Sequence, residues 1–197
     1  MSPRTAEQNH ELREESRRRI MQHAMALFAE HGYGQTSVRM IAQSASISQG
    51  LMYNYFESKE HLLLALFQRS VQDVNESFVR AEEADDPREL IAQLVRAAMA
   101  VVREHLDFWR VWYSVRMQPS VIAKLGDDLP VWTYATRQQL ESYFRAARVA
   151  QPAIEATILF AVIDGVAQHY ALEAEHYPLE EVVEAVIEKY QYFFATQ

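Results

Sequence analysis

No cysteine occurs among the 197 residues, which excludes a disulfide framework and a thiolate metal site. Glycine (5) and proline (6) are sparse, so few tight turns interrupt the chain. No apolar run approaches the roughly 18 residues that a membrane span needs, and no membrane partner is expected. The N-terminal stretch is polar and charged, without the apolar segment of a secretory leader; a cytoplasmic protein is the expectation. There is also no G-x-S-x-G, no phosphate-binding glycine loop and no thiol nucleophile, so neither enzymatic chemistry nor a cofactor is expected. Glu-x-x-His occurs at Glu7–His10 and Glu173–His176, the spacing used by di-iron bundles. The first pair lies in a polar tail and the second at a helix end, so coincidence is the better reading and no metal is expected.

Positive charge is also scarce, 19 Lys and Arg against 27 Asp and Glu, a net −8. Its distribution matters more than its sum. Residues 1–60 carry seven cations and seven anions, and the rest of the chain supplies the whole excess. An acidic body joined to a neutral segment with a local cluster (Arg17, Arg18, Arg19) can still meet phosphate with one end. On charge alone, a solvated helix face explains that cluster equally well.

What the chain has is helical periodicity. Ile20, Ala24, Leu27 and Phe28 form one apolar stripe that stops at "HGYG", where Gly32 suits a left-handed C′ position. Ser37 is a good N-cap for Val38 to Ala45, and Ser48 for a short helix ending near Phe56. Ser58 opens a longer helix with the stripe Leu62, Leu63, Leu66, Phe67, Ser70, Val74, and Asp85-Asp86-Pro87 starts the next. Further helical runs follow at about 88–104, 105–118, 128–148, 152–173 and 178–194. The spacing predicts an all-α fold of about nine helices.

Within that frame "SISQGLMYNYFESKE" is unusual, because one short helix cannot bury Leu51, Met52, Tyr53, Tyr55 and Phe56 together. Met52 and Phe56 share one face and can dock on the first helix; Gln49 with Tyr53, and Leu51 with Tyr55, then face outward. Isolated helices under roughly 12–15 residues are marginal, so one face must dock. Two short helices with an exposed polar–aromatic face describe a helix-turn-helix, whose partner is double-stranded DNA. Gln49 suits adenine, Arg39 a guanine edge and Leu51 a thymine methyl. Ser37, Ser48, Tyr53, Tyr55 and Lys59 offer donors to phosphates, and Gly50 allows close backbone approach. Spacing alone leaves a plain helical corner as an equal alternative.

The run "TSVRMIAQSASISQGLMYNYFESKEHLL" resembles the DNA-binding signature of the tetracycline-repressor (TetR) family, over about 45 residues. The resemblance implies base contacts from Arg39, Gln49 and Leu51 and phosphate contacts from Ser37, Ser48, Tyr53, Tyr55 and Lys59, with Ile41, Ala42, Met52 and Phe56 in packing positions. Three residues depart from the pattern. Ser46 stands at a usual turn glycine, so a positive φ there carries modest strain. Gln49 replaces a common lysine and Leu51 a frequent threonine. The resemblance further implies a homodimer that represses from a palindromic operator until a small-molecule inducer binds, with residues 1–57 reading DNA and 58–197 sensing and dimerising. The dimer face is expected on the last two helices, from Ile154, Ile158, Ala161, Val166, Val182, Val186 and Tyr190, an apolar set too large for a lone surface pair.

The inducer side is expected in "HLDFWRVWYSVRMQP", where Phe108 with Trp112 and Trp109 with Tyr113 are one turn apart and Arg116 and Met117 continue those faces. Such a stripe is more often core than cavity. Asp164, inside the apolar run "AVIDGVA", needs a partner such as Arg116 or a cationic ligand. "IDG" and "FW" loosely resemble the choline-responsive branch of the family, which implies a quaternary ammonium against Trp109, Trp112 and Tyr113. Arg110 and Arg116 suit an anion equally.

Overall fold

The computed structural model describes residues 6–81, 86–126 and 128–195, and every regular element among them is helical. Ten α-helices follow one another: α1 (Ala6–His31), α2 (Val38–Ser44), α3 (Gln49–Tyr53), α4 (Lys59–Ala81), α5 (Pro87–Glu104), α6 (Leu106–Val115), α7 (Pro119–Leu125), α8 (Asp128–Ala146), α9 (Pro152–Glu173) and α10 (Leu179–Ala195). The extra one relative to the sequence reading is α7. It carries Pro119 at its first turn and ends at Gly126, whose φ of 57° is a stop signal. Two turns are too short to show a period, so the segment reads as a loop in sequence.

The helix ends follow local chemistry. Gly32 takes φ 79° and its N–H bonds the Phe28 carbonyl at 3.0 Å, closing α1. The Ser37 and Ser48 hydroxyls accept from Met40 N and Leu51 N at 3.2 and 3.1 Å, capping α2 and α3. Ser58 caps α4 through His61 N at 3.0 Å, and Asp86 caps α5 through Arg88 N. Ser46 does adopt φ 56°, the strained turn that its place in the signature implied.

Ile20, Ala24 and Phe28 of α1 are buried with Ile41, Ala42, Met52 and Phe56, and they belong to one hydrophobic core that continues into the later helices. The α4 stripe is buried as its period predicts, from Leu62 through Val74. Beyond it, α5 packs on α4, α9 and α10, while α8 packs along α9. The helix α6 touches both α1 and α9, so it links the first helix to the C-terminal helices. No helix among the described residues is long and apolar enough to cross a membrane.

Candidate nucleic-acid interface and sensor bundle

Five residues make up α3, and Met52 alone among them is fully buried. Gln49 and Gly50 are exposed, Leu51 is 41% and Tyr53 48% exposed, and Tyr55 just beyond is half-buried. A helix this short holds its place through Met52, its Ser48 cap and Phe56, whose N–H bonds Met52 O at 3.0 Å. Its remaining faces are therefore presented to solvent by the same packing that fixes it. Ser37 and Arg39 are exposed on the adjacent α2, beside this face.

Lys59 has a second occupation that its sequence position does not reveal. Its ammonium donates to the carbonyls of Tyr33 and Thr36 at 2.7 and 2.9 Å and lies 4.3 Å over the Tyr33 ring. Burial lowers its pKa, against the opposing pull of Glu60. One N–H remains for a phosphate. The loop it grips is also tied from within: buried Thr36 donates to Leu27 O at 3.1 Å and Gly32 O at 2.9 Å. Burial of the Tyr33 phenol, helped by Glu60, raises its pKa.

Further contacts made by α1 escaped the sequence reading. Arg13 donates to Asn54 O at 3.5 Å and sits 5.8 Å over the Tyr55 ring, so α1 brings a cation to the exit of α3. Arg17 of the same helix lies 5.4 Å over Phe56. Their four-residue spacing was the available signal. His23 Nδ1 lies 2.9 Å from Ser44 Oγ, linking α1 to the end of α2.

In the C-terminal part of the chain, Phe108, Trp109 and Trp112 are core side chains, at most 5% exposed, the more common fate of such a stripe. Trp112 stacks on Phe67 of α4 at 4.4 Å, joining α6 to α4. Met117 leaves this face altogether and is 77% exposed. Asp164 pairs with Arg116 in a fork of 2.8 and 2.9 Å, the arginine partner being one of the two expected from sequence. Tyr113 donates to the same carboxylate at 3.2 Å, Gln168 Oε1 accepts from Arg116 at 3.2 Å, and Arg116 covers the Tyr113 ring at 4.5 Å. Burial resists the Arg116 charge, but the hydrogen bonds and charge of Asp164 outweigh it and its pKa is raised. Burial and the Asp164 charge push the Tyr113 phenol upward. Arg110 adds a bond to Ala171 O at 2.9 Å, so α6 is tied to α9 along its length.

The residues expected at a subunit interface divide. Ile154 (54%) and Ile158 (46%) are exposed, and Ala161 with them, along one α9 stripe that runs on to Leu172 (78%). Val166, Val182 and Val186 are half-buried, and Val166 and Val186 line a shallow apolar depression with Val95 and Met99 of α5. Tyr190 is a correction: it is 8% exposed and lies 5.9 Å from Phe144. It ends the inward stripe Leu179, Val183, Ile187, Tyr190, which the period of α10 turns toward its own chain.

Known proteins share this arrangement. Residues 20–66 match the family model "Bacterial regulatory proteins, tetR family", and residues 87–190 match "BetI-type transcriptional repressor, C-terminal". The chain is 32% identical over 139 residues to the HTH-type transcriptional regulator HbdR of Aromatoleum sp. (strain CIB), covering 68% of this chain and 58% of HbdR. It thus spans less than two thirds of that relative's length. To the HTH-type transcriptional regulator BetI of Brucella abortus it is 27% identical over 172 residues, 81% of each chain. The fatty acid degradation regulator FadR from Bacillus halodurans shares the fold, with a TM-score of 0.74 at 20% identity over 87% of this chain and 92% of that one. One family model covers more than half of the chain and another its helix-turn-helix, and the chain belongs to the tetR family of bacterial regulatory proteins.

Proposed function

We propose that this chain is a ligand-responsive transcriptional regulator that binds a palindromic operator as a homodimer and releases it when a small molecule enters its sensor half. Residues 1–57 read DNA and residues 58–197 sense and dimerise. The observation that carries this reading is α3: Met52 anchors it from below while Gln49, Leu51 and Tyr53 stand free above. Gln49, Arg39 and Leu51 meet base edges, while Ser37, Ser48, Tyr53, Tyr55, Lys59 and the neighbouring Arg13 meet phosphates, with Gly50 admitting the backbone. A two-fold pair of such helices reads half-sites one helical turn or a multiple apart. The exposed stripe Ile154, Ile158, Ala161, Leu172 on α9 supplies the pairing face, since isolated helices of a lone chain do not leave so apolar a face open.

Release follows from the position of α6. It touches α1, stacks Trp112 on Phe67 of α4 and holds α9 through Arg116 and Asp164. A ligand that separates those contacts moves α1 and α4, on which the reading helices rest.

Selection of bound sequences from a random DNA pool, with and without candidate ligands, tests the reading. A palindromic consensus is expected, and Gln49→Ala and Arg39→Ala each weaken the selected site by about 1–3 kcal/mol and relax one position. Loss of affinity without any change of selectivity would remove both residues from the base-reading role.

A further inference from the structure

Six ring systems form an unbroken array through the sensor half. Trp109 meets Phe108 at 5.3 Å, Phe108 meets Trp112 at 6.3 Å, Trp112 meets Phe67, Phe67 meets Trp132 at 5.6 Å, and Trp132 meets Phe160 at 6.1 Å. The array crosses α4, α6, α8 and α9. Hydrogen-bonding atoms at both of its ends are buried without a partner: Trp109 Nε1 at one, Trp132 Nε1 and Thr136 Oγ1 at the other. Trp109 and Thr136 are each 5% exposed, so water does not reach these atoms freely. Trp132 and Thr136 are one turn apart on α8 and share its face. The Nε of Arg137, the next residue, is likewise buried and unpaired.

The unpaired nitrogens are donors, and the threonine hydroxyl is able to donate. A buried donor without an acceptor has lost its water and gained nothing, so any ligand that offers an acceptor there recovers that cost. A cation recovers none of it. The features a quaternary ammonium requires are also taken: Arg116 covers the Tyr113 ring, Phe67 covers Trp112, and the Asp164 carboxylate is held by Arg116 in a two-point fork.

We infer that the array receives an arene carrying an oxygen acceptor, a carbonyl or a carboxylate, and not a quaternary ammonium. The proposal rests on the reading of this half as the sensor. The ring of the ligand packs against Trp132 and Phe160 at the half-buried end of the array, and its oxygen accepts from Trp132 Nε1 and Thr136 Oγ1. It enters at the α8 end, where Trp132 and Phe160 are half-buried.

Calorimetric titration of the full chain with phenylacetate, acetophenone and benzyltrimethylammonium tests this, because the three share a phenyl ring and differ in the head group. At least one oxygen-bearing probe is expected to bind about tenfold or more tighter than the ammonium, and the better of the two identifies the head group. Thr136→Val keeps shape and removes only the hydroxyl, whereas Trp132→Phe removes Nε1 together with part of the indole. Each is expected to weaken the bound oxygen probe about fivefold to tenfold, the share of one hydrogen bond, and in Thr136→Val the melting temperature holds or rises. Equal or tighter ammonium binding, no binding of any probe, or unchanged affinity in both variants overturns the inference. A gel shift on the selected operator in the same samples separates the two readings. Retarded DNA with no probe bound sinks only the ligand class, whereas no retarded DNA sinks the regulator reading itself.

Discussion

Removing one partner of the Arg116–Asp164 pair is the sharpest perturbation of the tie between α6 and α9. The two side chains are 23% and 32% exposed, and their two bonds are 2.8 and 2.9 Å long. Breaking a fully buried pair costs about 3–5 kcal/mol, because the survivor keeps an uncompensated charge. Exposed pairs are worth about 0–1 kcal/mol. With a quarter to a third of each side chain open to solvent, Asp164→Ala or Arg116→Ala alone should cost about 2–3 kcal/mol. The double variant should cost little more than either single one, since neither charge is then left behind. A coupling of about 1.5–2 kcal/mol follows. Urea unfolding of the four proteins at one fixed chain concentration measures it, and raising the salt should reduce it only slightly, because shielded pairs are weakly screened. A coupling under about 0.5 kcal/mol would refute the reasoning: the fork would then be a surface contact that happens to be well drawn.

Lys59→Met keeps the stem and removes the ammonium from the Tyr33 and Thr36 carbonyls; stability should fall by about 2–3 kcal/mol, from two charge-assisted hydrogen bonds partly open to water. The same variant should lower the salt slope of operator binding by about one unit, and an unchanged unfolding midpoint would show that the carbonyl contacts are idle. Ile158→Glu sets a charge in the exposed α9 stripe and should halve the mass found by light scattering without unfolding the chain; a mass that stayed the same would move the pairing face elsewhere. Burial raises the Tyr190 phenol from 10.0 to about 12, with Glu155 adding to the effect. The unfolded chain loses that proton near pH 10 and the folded chain does not, so this contribution to stability is full below pH 10 and fades as pH rises toward 12. Tyr33 and Tyr113 shift in the same direction, and the share of the tyrosinate absorbance that Tyr190→Phe removes should appear together with unfolding; earlier, separate ionisation of Tyr190 would contradict its burial.

Much of the architecture was legible because local chemistry decides it. The stripe of Ile20, Ala24 and Phe28, the caps at Ser37, Ser48 and Ser58, and the stop at Gly32 depend on neighbours within a turn or two, which the sequence displays directly. The exposed faces of α3 were legible for a related reason: five residues cannot bury three faces, so Met52 and Phe56 going in obliges Gln49, Leu51 and Tyr53 to stay out. Contacts between distant segments were not legible. Asp164 required a partner, yet only the packing of α6 on α9 selected Arg116 over a bound cation. Lys59 read as a free cation until the α1–α2 loop brought two carbonyls to it, and Tyr190 read as outward until Phe144 of α8 met it. Periodicity gives a helix its apolar faces without saying which helix covers each one. The sequence by itself therefore determined the helices other than the two-turn α7, most of their ends and the family to which they belong. The tertiary structure decided which charges are paired, which aromatic rings are core and which donors are left wanting, because burial and pairing are properties of segments meeting across space.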